Sequence, residues 1–380
     1  MVEFALALLP VAAATGWYVA YKHYKNSANQ SNLDHSKYFQ GLNHLVNEQS
    51  DKAVDVFVNL LEVDSETIEV HLALGTLFRK RGEVEKAIRL HQNLMARPEL
   101  EHVIRLNVLN ELGMDYMHAG LLDRAESLFL ELEQHTDHRL NVIKQLLSIY
   151  QQEKEWLKAI RYAQKLKHVD SAPQHVLLAH LHCELALMLI NIDDEKEAKS
   201  NLKKALRYDP LCVRSNLLNA EIKLNNKKHK LALEHLMAIK QQNINFVPVF
   251  LDMFILCFNE LNKHKEKLQF LATVESEINS DLLTNTFVLA LIEQKGRENA
   301  VVFLKNKLSE GPRLSDLTML SSMLVDKSSD SDIKTVSDAL TALYEQHMHF
   351  LCNRCGFESE KLNWMCPRCN HWGTVTPVNN

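Results

Sequence analysis

The sequence predicts an all-α chain in three parts: an apolar N-terminal segment, a long array of repeated helix pairs, and a short metal-binding tail. Three observations carry this. Only 10 glycines and 8 prolines in 380 residues leave too few turn-formers for a sheet-rich fold. An alanine recurs at near-constant spacing through the middle of the chain, and four of the seven cysteines crowd into the last thirty residues. The 46% apolar and 24% charged content excludes wholesale disorder and a multi-pass membrane protein. A net charge of −5 supplies no basic field, so no nucleic-acid partner is expected.

The first element is a 17-residue uncharged run, Phe4 to Ala20, about 26 Å long as a helix at 1.5 Å per residue. Glu3 precedes it, and Lys22, His23 and Lys25 follow it. That asymmetry opposes a secretory signal and predicts a transmembrane helix over 1–21, with the bulk of the chain facing the cytoplasm. Trp17, Tyr18, Tyr21 and Tyr24 suit the headgroup layer at the basic end. Pro10 and the small run Ala12 to Ala14 leave a cleaved signal and a buried helix open. A polar linker, 22–32, comes next.

Residues 33–345 make the array. Alanine recurs at Ala53, Ala87, Ala125, Ala159, Ala198, Ala232 and Ala300, the first six spaced 34, 38, 34, 39 and 34 apart. Four residues after each stand Phe57, His91, Phe129, Ala163, Leu202, Leu236 and Leu304; twelve before each stand Gly41, Gly75, Gly113, Leu147, Ala186, Ala220 and Val288. This is the pattern of the tetratricopeptide repeat, in which small residues let two antiparallel helices approach and larger groups fill the gap. A solenoid with a concave groove follows. The pattern degenerates after about residue 243, with Leu268 where alanine should stand, and returns from Val288 to Pro312.

Groove-lining side chains in such repeats come mainly from fixed positions of the first helix. That rule assigns Arg79, Lys80, Asn107, Asn110, Met114, Asn141, Lys144, His180, Cys183 and Arg214 to the groove. Asparagine and basic residues there suit a peptide backbone or carboxylate; a solvated helix face is the alternative. The spacing of His175, His180, His182 and Cys183 does not give two ligands on one helical face in the i, i+4 manner, so a buried or groove histidine is expected there and not a metal site. Cys183, Cys212 and Cys257 sit singly in apolar stretches and read as reduced core residues.

The tail, 346–380, holds Cys352 and Cys355 in one C-x-x-C and Cys366 and Cys369 in another. Four thiolates from two tight turns make a tetrahedral cage for one metal ion, and the spacing alone does not choose between iron and zinc. Gly356 follows the first pair where a positive φ is often required, and Asn370 stands in the corresponding place after the second. Phe350, Phe357, Trp364 and Trp372 are expected to build a small internal core, with the metal supplying much of the folding energy. The turns resemble rubredoxin, so the tail is expected to be a small rubredoxin-like four-cysteine metal domain. No G-x-S-x-G, H-E-x-x-H or G-x-x-x-x-G-K motif occurs, so neither catalytic residues nor a small-molecule substrate is expected.

The order of parts, together with LLPVAAATGWYVA, DKAVDVF, RGEVEKAIRLHQ and NWMCPRCNHW, is similar to the lipopolysaccharide assembly protein B family of Gram-negative inner-membrane proteins, across essentially the whole chain. The resemblance implies that Cys352, Cys355, Cys366 and Cys369 hold the metal. It also implies a membrane-anchored adaptor that modulates lipopolysaccharide levels. Such an adaptor promotes turnover, by a membrane AAA+ protease, of the deacetylase of the lipid A pathway, and it coordinates other lipopolysaccharide synthesis proteins at the inner membrane. Two further readings stay open, a general peptide-binding assembly scaffold and an iron- or redox-sensing protein that uses the tail.

Overall fold

The computed structural model of the chain describes residues 16–18, 20–22, 39–41, 43–44, 49–58, 65–98, 100–135, 138–170, 174–278, 280–311, 313–325, 338, 340–341 and 349–378. The expected anchor and linker fall almost wholly outside them. Residues 16–18 and 20–22 are helical, with the Trp17 and Tyr21 rings stacked at 5.4 Å. No helix among the described residues is long and apolar enough to cross a membrane.

Two compact units divide the chain, Met1–Glu153 and Lys154–Asn380. The first contains α1 (Ser50–Val58), α2 (Ser65–Lys80), α3 (Val84–Met95), α4 (His102–His118), α5 (Leu122–Leu132) and α6 (Arg139–Gln152). The second begins with α7 (Trp156–Val169), α8 (His175–Asn191), α9 (Glu195–Tyr208), α10 (Val213–Asn225) and α11 (His229–Gln242). Two 3₁₀ turns follow, Ile244–Phe246 and Pro248–Phe250, then α12 (Leu251–Glu260), α13 (His264–Glu277), α14 (Asp281–Lys295), α15 (Arg297–Glu310) and α16 (Leu314–Val325). From α2 onward each helix packs on its chain neighbours within its unit, α1 packs on α3, and α4 reaches back to α2 as α10 does to α8, the stacking expected of repeated pairs.

The turn inside most pairs is the same. The backbone N–H groups of Glu83, Leu121, Asp194, Lys228 and Lys263 each donate to the carbonyl five residues back, on Phe78, Tyr116, Leu189, Lys223 and Phe258 respectively. That closure needs a left-handed residue just before the donor. Gly82 and Gly120 supply it in the first unit, whereas Asp193, Lys227 and Asn262 adopt φ of 61°, 55° and 54° in the second. The following helix then starts from a ready-made cap; at α9 the Asp194 carboxylate accepts the Glu197 N–H at 3.1 Å, and Glu195 and Glu197 occupy the first turn, complementing the dipole.

The close approach within each pair is visible at the small positions. A Cβ on Gly113 would stand 2.8 Å from the Phe129 ring, and one on Gly75 only 2.3 Å from His91 Nε2. In the second unit the gap is filled by Ala186 with Leu202, then by Ala220 with Leu236 and by Val288 with Leu304.

His91 stands where a phenylalanine would otherwise close the pair, and its polar ring is fully buried. Its Nδ1 donates to Asp115 Oδ2 at 2.5 Å. Asp115 Oδ1 accepts from Arg79 Nη1 at 2.7 Å, and Arg79 Nη2 reaches Glu111 Oε2 at 2.7 Å. Burial works against the Arg79 charge, but hydrogen bonds to Glu111 and Asp115 outweigh it and raise its pKa. Burial likewise opposes ionisation of Glu111, and the Arg79 hydrogen bond prevails and lowers it. One network thus ties α2, α3 and α4.

Replacing Arg79 with Met should leave two carboxylates without their cation and cost about 3–5 kcal/mol, read as faster amide exchange across α2–α4 in native-state hydrogen exchange. Because Glu111 is depressed in the folded state, its contribution is complete above its unfolded pKa of about 4.3 and is lost as pH falls through the lower folded value. Unchanged exchange in α4 on substitution would show that the network adds nothing.

Candidate metal centre and its docking surface

The tail folds around an antiparallel sheet of order β2-β1-β3, with β1 His349–Cys352, β2 Glu358–Ser359 and β3 Val375–Val378. Pro377 lies on edge strand β3 opposite Phe350, a place where its missing N–H is tolerated. The two C-x-x-C turns are built alike. Gly356 N–H donates to Cys352 O at 2.9 Å and Asn370 N–H to Cys366 O at 2.8 Å; Cys352 N–H takes Phe357 O, and Cys366 N–H takes His371 O. Gly356 and Asn370 have φ of 68° and 53°, so asparagine adopts the left-handed conformation that glycine takes in the first turn.

These turns bring four sulfurs together. Cys352 Sγ lies 3.8 Å from Cys369 Sγ, Cys355 Sγ lies 3.6 Å from Cys366 Sγ, and all four ligand atoms fall within 4.8 Å of one another. A tetrahedron with metal–sulfur bonds of about 2.3 Å has edges of about 3.8 Å, so the donor set fits one tetrahedral ion; a disulfide needs about 2.05 Å. The Thr374 hydroxyl, 3.3 Å from Cys352 Sγ, is the main influence drawing that thiol down to about 6, helped by the Arg354 and Cys355 amides. Desolvation pushes Cys355 up to about 12. A divalent ion holds all four as thiolates. The ligand set suits iron and zinc equally.

The remaining cysteines stay buried free thiols. Cys183 and Cys212 stand 3.9 Å apart.

The expected internal core of the tail forms in part. Phe350, Cys352, Cys366 and Val375 are buried together with Phe357 beside them, but Trp364 and Trp372 turn toward the helices of the same unit. The Trp372 ring stacks on His180 at 5.3 Å and 22°, and Trp364 stacks on Phe246 at 5.8 Å and 8°. The Arg214 guanidinium sits 5.9 and 5.8 Å from the centroids of Trp364 and Trp372, and its Nη1 donates to Glu184 at 2.8 Å. Cation–π contacts contribute about 0.5–2 kcal/mol each and aromatic pairs about 0.5–1.5. Gly373 permits the close seat, since a Cβ there would come 3.0 Å from His180 Nε2.

This contact decides where the expected groove residues lie. His180 and Arg214 are only 4% and 6% exposed, covered by the chain's own tail, and Cys183 is buried in the core of the helix pairs. In the first unit Arg79 is committed to Glu111 and Asp115. Asn141 Nδ2 donates to Asn110 Oδ1 at 2.9 Å, Met114 is half-buried, and Lys80, Asn107, Asn141 and Lys144 are exposed. Sequence reasoning missed Trp364 and Trp372 as a docking pair. An aromatic before one cysteine pair and another after it was the available signal, and it was spent on the tail's interior.

Burial, reinforced by the Arg214 charge, pushes His180 down to about 3, and its Nδ1 has no partner. A released tail returns the ring to about 6.5. The docked state therefore binds fewer protons, so docking is strongest above about pH 6.5 and weakens as pH falls below it. Amides of residues 349–378 should exchange faster at pH 5.5 than at 7.5 after correction for intrinsic rates, with metal content checked at both. His180→Phe should abolish the difference; a difference that survives it would assign the effect elsewhere. At the metal, Cys366→Ser should lose the bound ion by elemental analysis and unfold the tail, whereas Cys257→Ser should lose none.

Residues 350–377 match the family described as a rubredoxin metal binding domain. Over its full length the chain is 35% identical to lipopolysaccharide assembly protein B of Escherichia coli strain K12, with 100% of this chain and 98% of that protein aligned. It is 32% identical to the protein of the same name from Haemophilus influenzae strain KW20 / Rd, covering 100% and 99%. A tetratricopeptide repeat protein from Parabacteroides merdae ATCC 43184 aligns over 73% of this chain and 100% of its own at 15% identity and a TM-score of 0.35, too loose a superposition to add to the helix-pair packing above. With two proteins of one name aligned from end to end and the metal domain matched in place, the chain belongs to the lipopolysaccharide assembly protein B family.

Proposed function

We propose that the chain is a membrane-anchored adaptor that restrains lipopolysaccharide levels by bringing the deacetylase of the lipid A pathway to a membrane AAA+ protease. Full-length identity to proteins named for lipopolysaccharide assembly supports the pathway. The observation that carries the adaptor reading is the docked tail: Trp364 and Trp372 join the metal module to α8 and α10, so within the second unit the helix pairs and the tail present one composite surface. Helix-pair arrays bury their apolar faces against each other and leave long polar faces for partners. Lys80, Asn107, Asn141 and Lys144 keep exposed side chains on such a face and are our candidates for partner contact.

When bound, the metal supplies a four-thiolate cross-link that folds the tail. The chain's own residues do the rest: Thr374 and the turn amides orient the sulfurs, while Arg214 and His180 hold the module in place. We place residues 1–21 in the inner membrane with Lys22, His23 and Lys25 on the cytoplasmic side, following the distribution of positive charge. Tethering to the same membrane as the protease raises the effective concentration of the two.

Deleting residues 1–25 should leave a folded, metal-loaded chain, because the helix pairs close on their own small and large residues and the four-cysteine turns on their own sulfurs. Yet in cells depleted of the native protein this variant should fail to restore deacetylase turnover, measured as deacetylase half-life at native expression level. Normal turnover with the anchorless chain would remove tethering from the mechanism. A half-life unresponsive even to complete depletion would replace the adaptor with a general assembly scaffold.

A further inference from the structure

Helix α8 carries two buried histidines two residues apart, which points them about 200° away from each other around the axis. His180 meets the metal module. His182, 5% exposed, lines a separate cavity of about 440 Å³ between α7, α8 and α9, within the size range of ligand pockets.

The polar floor of this cavity has a fixed hydrogen-bond direction. Asn201 Nδ2 donates to the Glu197 carbonyl at 2.9 Å, so its Oδ1 is an acceptor and His182 Nδ1, 3.0 Å away, is the donor. Burial lowers the His182 pKa, which keeps the ring neutral and leaves Nε2 as an acceptor with no partner among the described residues. The ring is held flat against Tyr208 at 5.5 Å and 15°. Tyr208 Oη accepts from Gln164 Nε2 at 3.2 Å, which leaves its own proton to donate.

Around that floor the walls differ in kind. One is apolar, from Ile160, Leu185 and Leu157, and Leu157 is 68% exposed. The other carries Lys204 and Arg207, one turn apart on α9. Both are exposed, and neither has an acidic partner among the described residues. On the same helix Lys199 is paired with Glu195 at 2.5 Å, while the adjacent Asp209 uses Oδ1 on the Leu211 N–H at 3.0 Å.

An anion, an apolar group and an N–H donor in one ligand are what this arrangement lacks. We propose that the cavity between α7, α8 and α9 binds the C-terminal residue of a partner polypeptide. The free carboxylate meets Lys204, Arg207 and the Tyr208 hydroxyl, an apolar side chain lies on Leu157, Ile160 and Leu185, and the backbone N–H donates to His182 Nε2. A fatty acid offers the first two features but no N–H for His182, so the peptide is the better match. The site goes beyond the turnover reading and does not depend on it, because binding is measured on the purified chain.

The probe is a fluorescein-labelled heptapeptide, Gly-Ser-Gly-Ser-Gly-Val-Leu, with a free carboxylate or a C-terminal amide, titrated with the full-length metal-loaded chain and followed by anisotropy. The free acid should saturate below about 1 mM, and the amide should bind at least about tenfold more weakly, the loss expected for charge-assisted hydrogen bonds. Lys204→Glu with Arg207→Glu should give a similar loss with helicity by circular dichroism and metal content unchanged. Leu157→Asp, at an exposed position, gives an independent loss should the double variant misfold. Equal binding of acid and amide, no saturation by the acid, or full affinity in a folded double variant would overturn the proposal. So would decanoate that binds saturably while the peptide does not displace it, which would mark the cavity as a lipid site.

Discussion

A helix pair closes only as far as the side chains between its axes allow, and in this chain that distance is set by a small residue on the first helix facing a larger one sixteen residues on. Gly75 beneath His91 and Gly113 beneath Phe129 leave no room for even a Cβ, and in the second unit Ala186 and Ala220 meet leucines instead. Every further contact inherits this spacing, since the next pair packs on whatever surface the previous one presents. When the larger group is a histidine the constraint spreads outward. His91 fills the gap but buries two ring nitrogens, so Asp115 is drawn in to accept from one, and Arg79 with Glu111 is drawn in to balance Asp115. The charged network on α2 to α4 is therefore the consequence of a packing choice at one site.

The tail meets the opposite problem. Its own buried set is Phe350, Cys352, Cys366 and Val375, too small to order thirty residues by burial alone. Two devices offset the deficit. The four sulfurs accept one ion and cross-link both turns, and the two tryptophans reach outside the module to apolar and cationic groups on α8, α10 and the first 3₁₀ turn. Arg214 serves both sides at once, stacked on the rings and hydrogen-bonded to Glu184, so its charge remains compensated inside the contact.

Features with a local period were legible in the sequence. The alanine spacing pointed to the helix pairs and the twin C-x-x-C turns to the sulfur cage, and Asn370, standing after the second cysteine pair where Gly356 follows the first, takes φ of 53° in the same hydrogen-bonded turn. What stayed hidden depends on residues far apart. Trp372 meets His180 across most of the second unit, with no pattern to join them, and Trp364 was assigned to an interior it leaves. Arg79 was read as a groove cation because position within one helix was considered without its neighbour. Its partner Glu111 lies 32 residues on, close to one repeat, as do the pairs Asn110 with Asn141 and Glu184 with Arg214. Complementary polar residues one repeat apart were the missed signal, since stacking brings equivalent positions of adjacent pairs side by side.

The same reasoning explains where the repeat pattern lapses. After α11 a regular array would start another long first helix, but the chain makes two 3₁₀ turns instead, and α12 is only 10 residues against 17 in α8 and 13 in α10. Pro248, without an N–H, opens the second turn. The residues freed from helical register are the ones the tail uses: Phe246 stacks on Trp364, Val249 joins the tail's core, and β3 packs on the first turn. Beyond the contact the small-and-large pairing returns at Val288, Ala300 and Leu304, so the lapse marks a place where something other than the next repeat is packed and is not a general decay of the array.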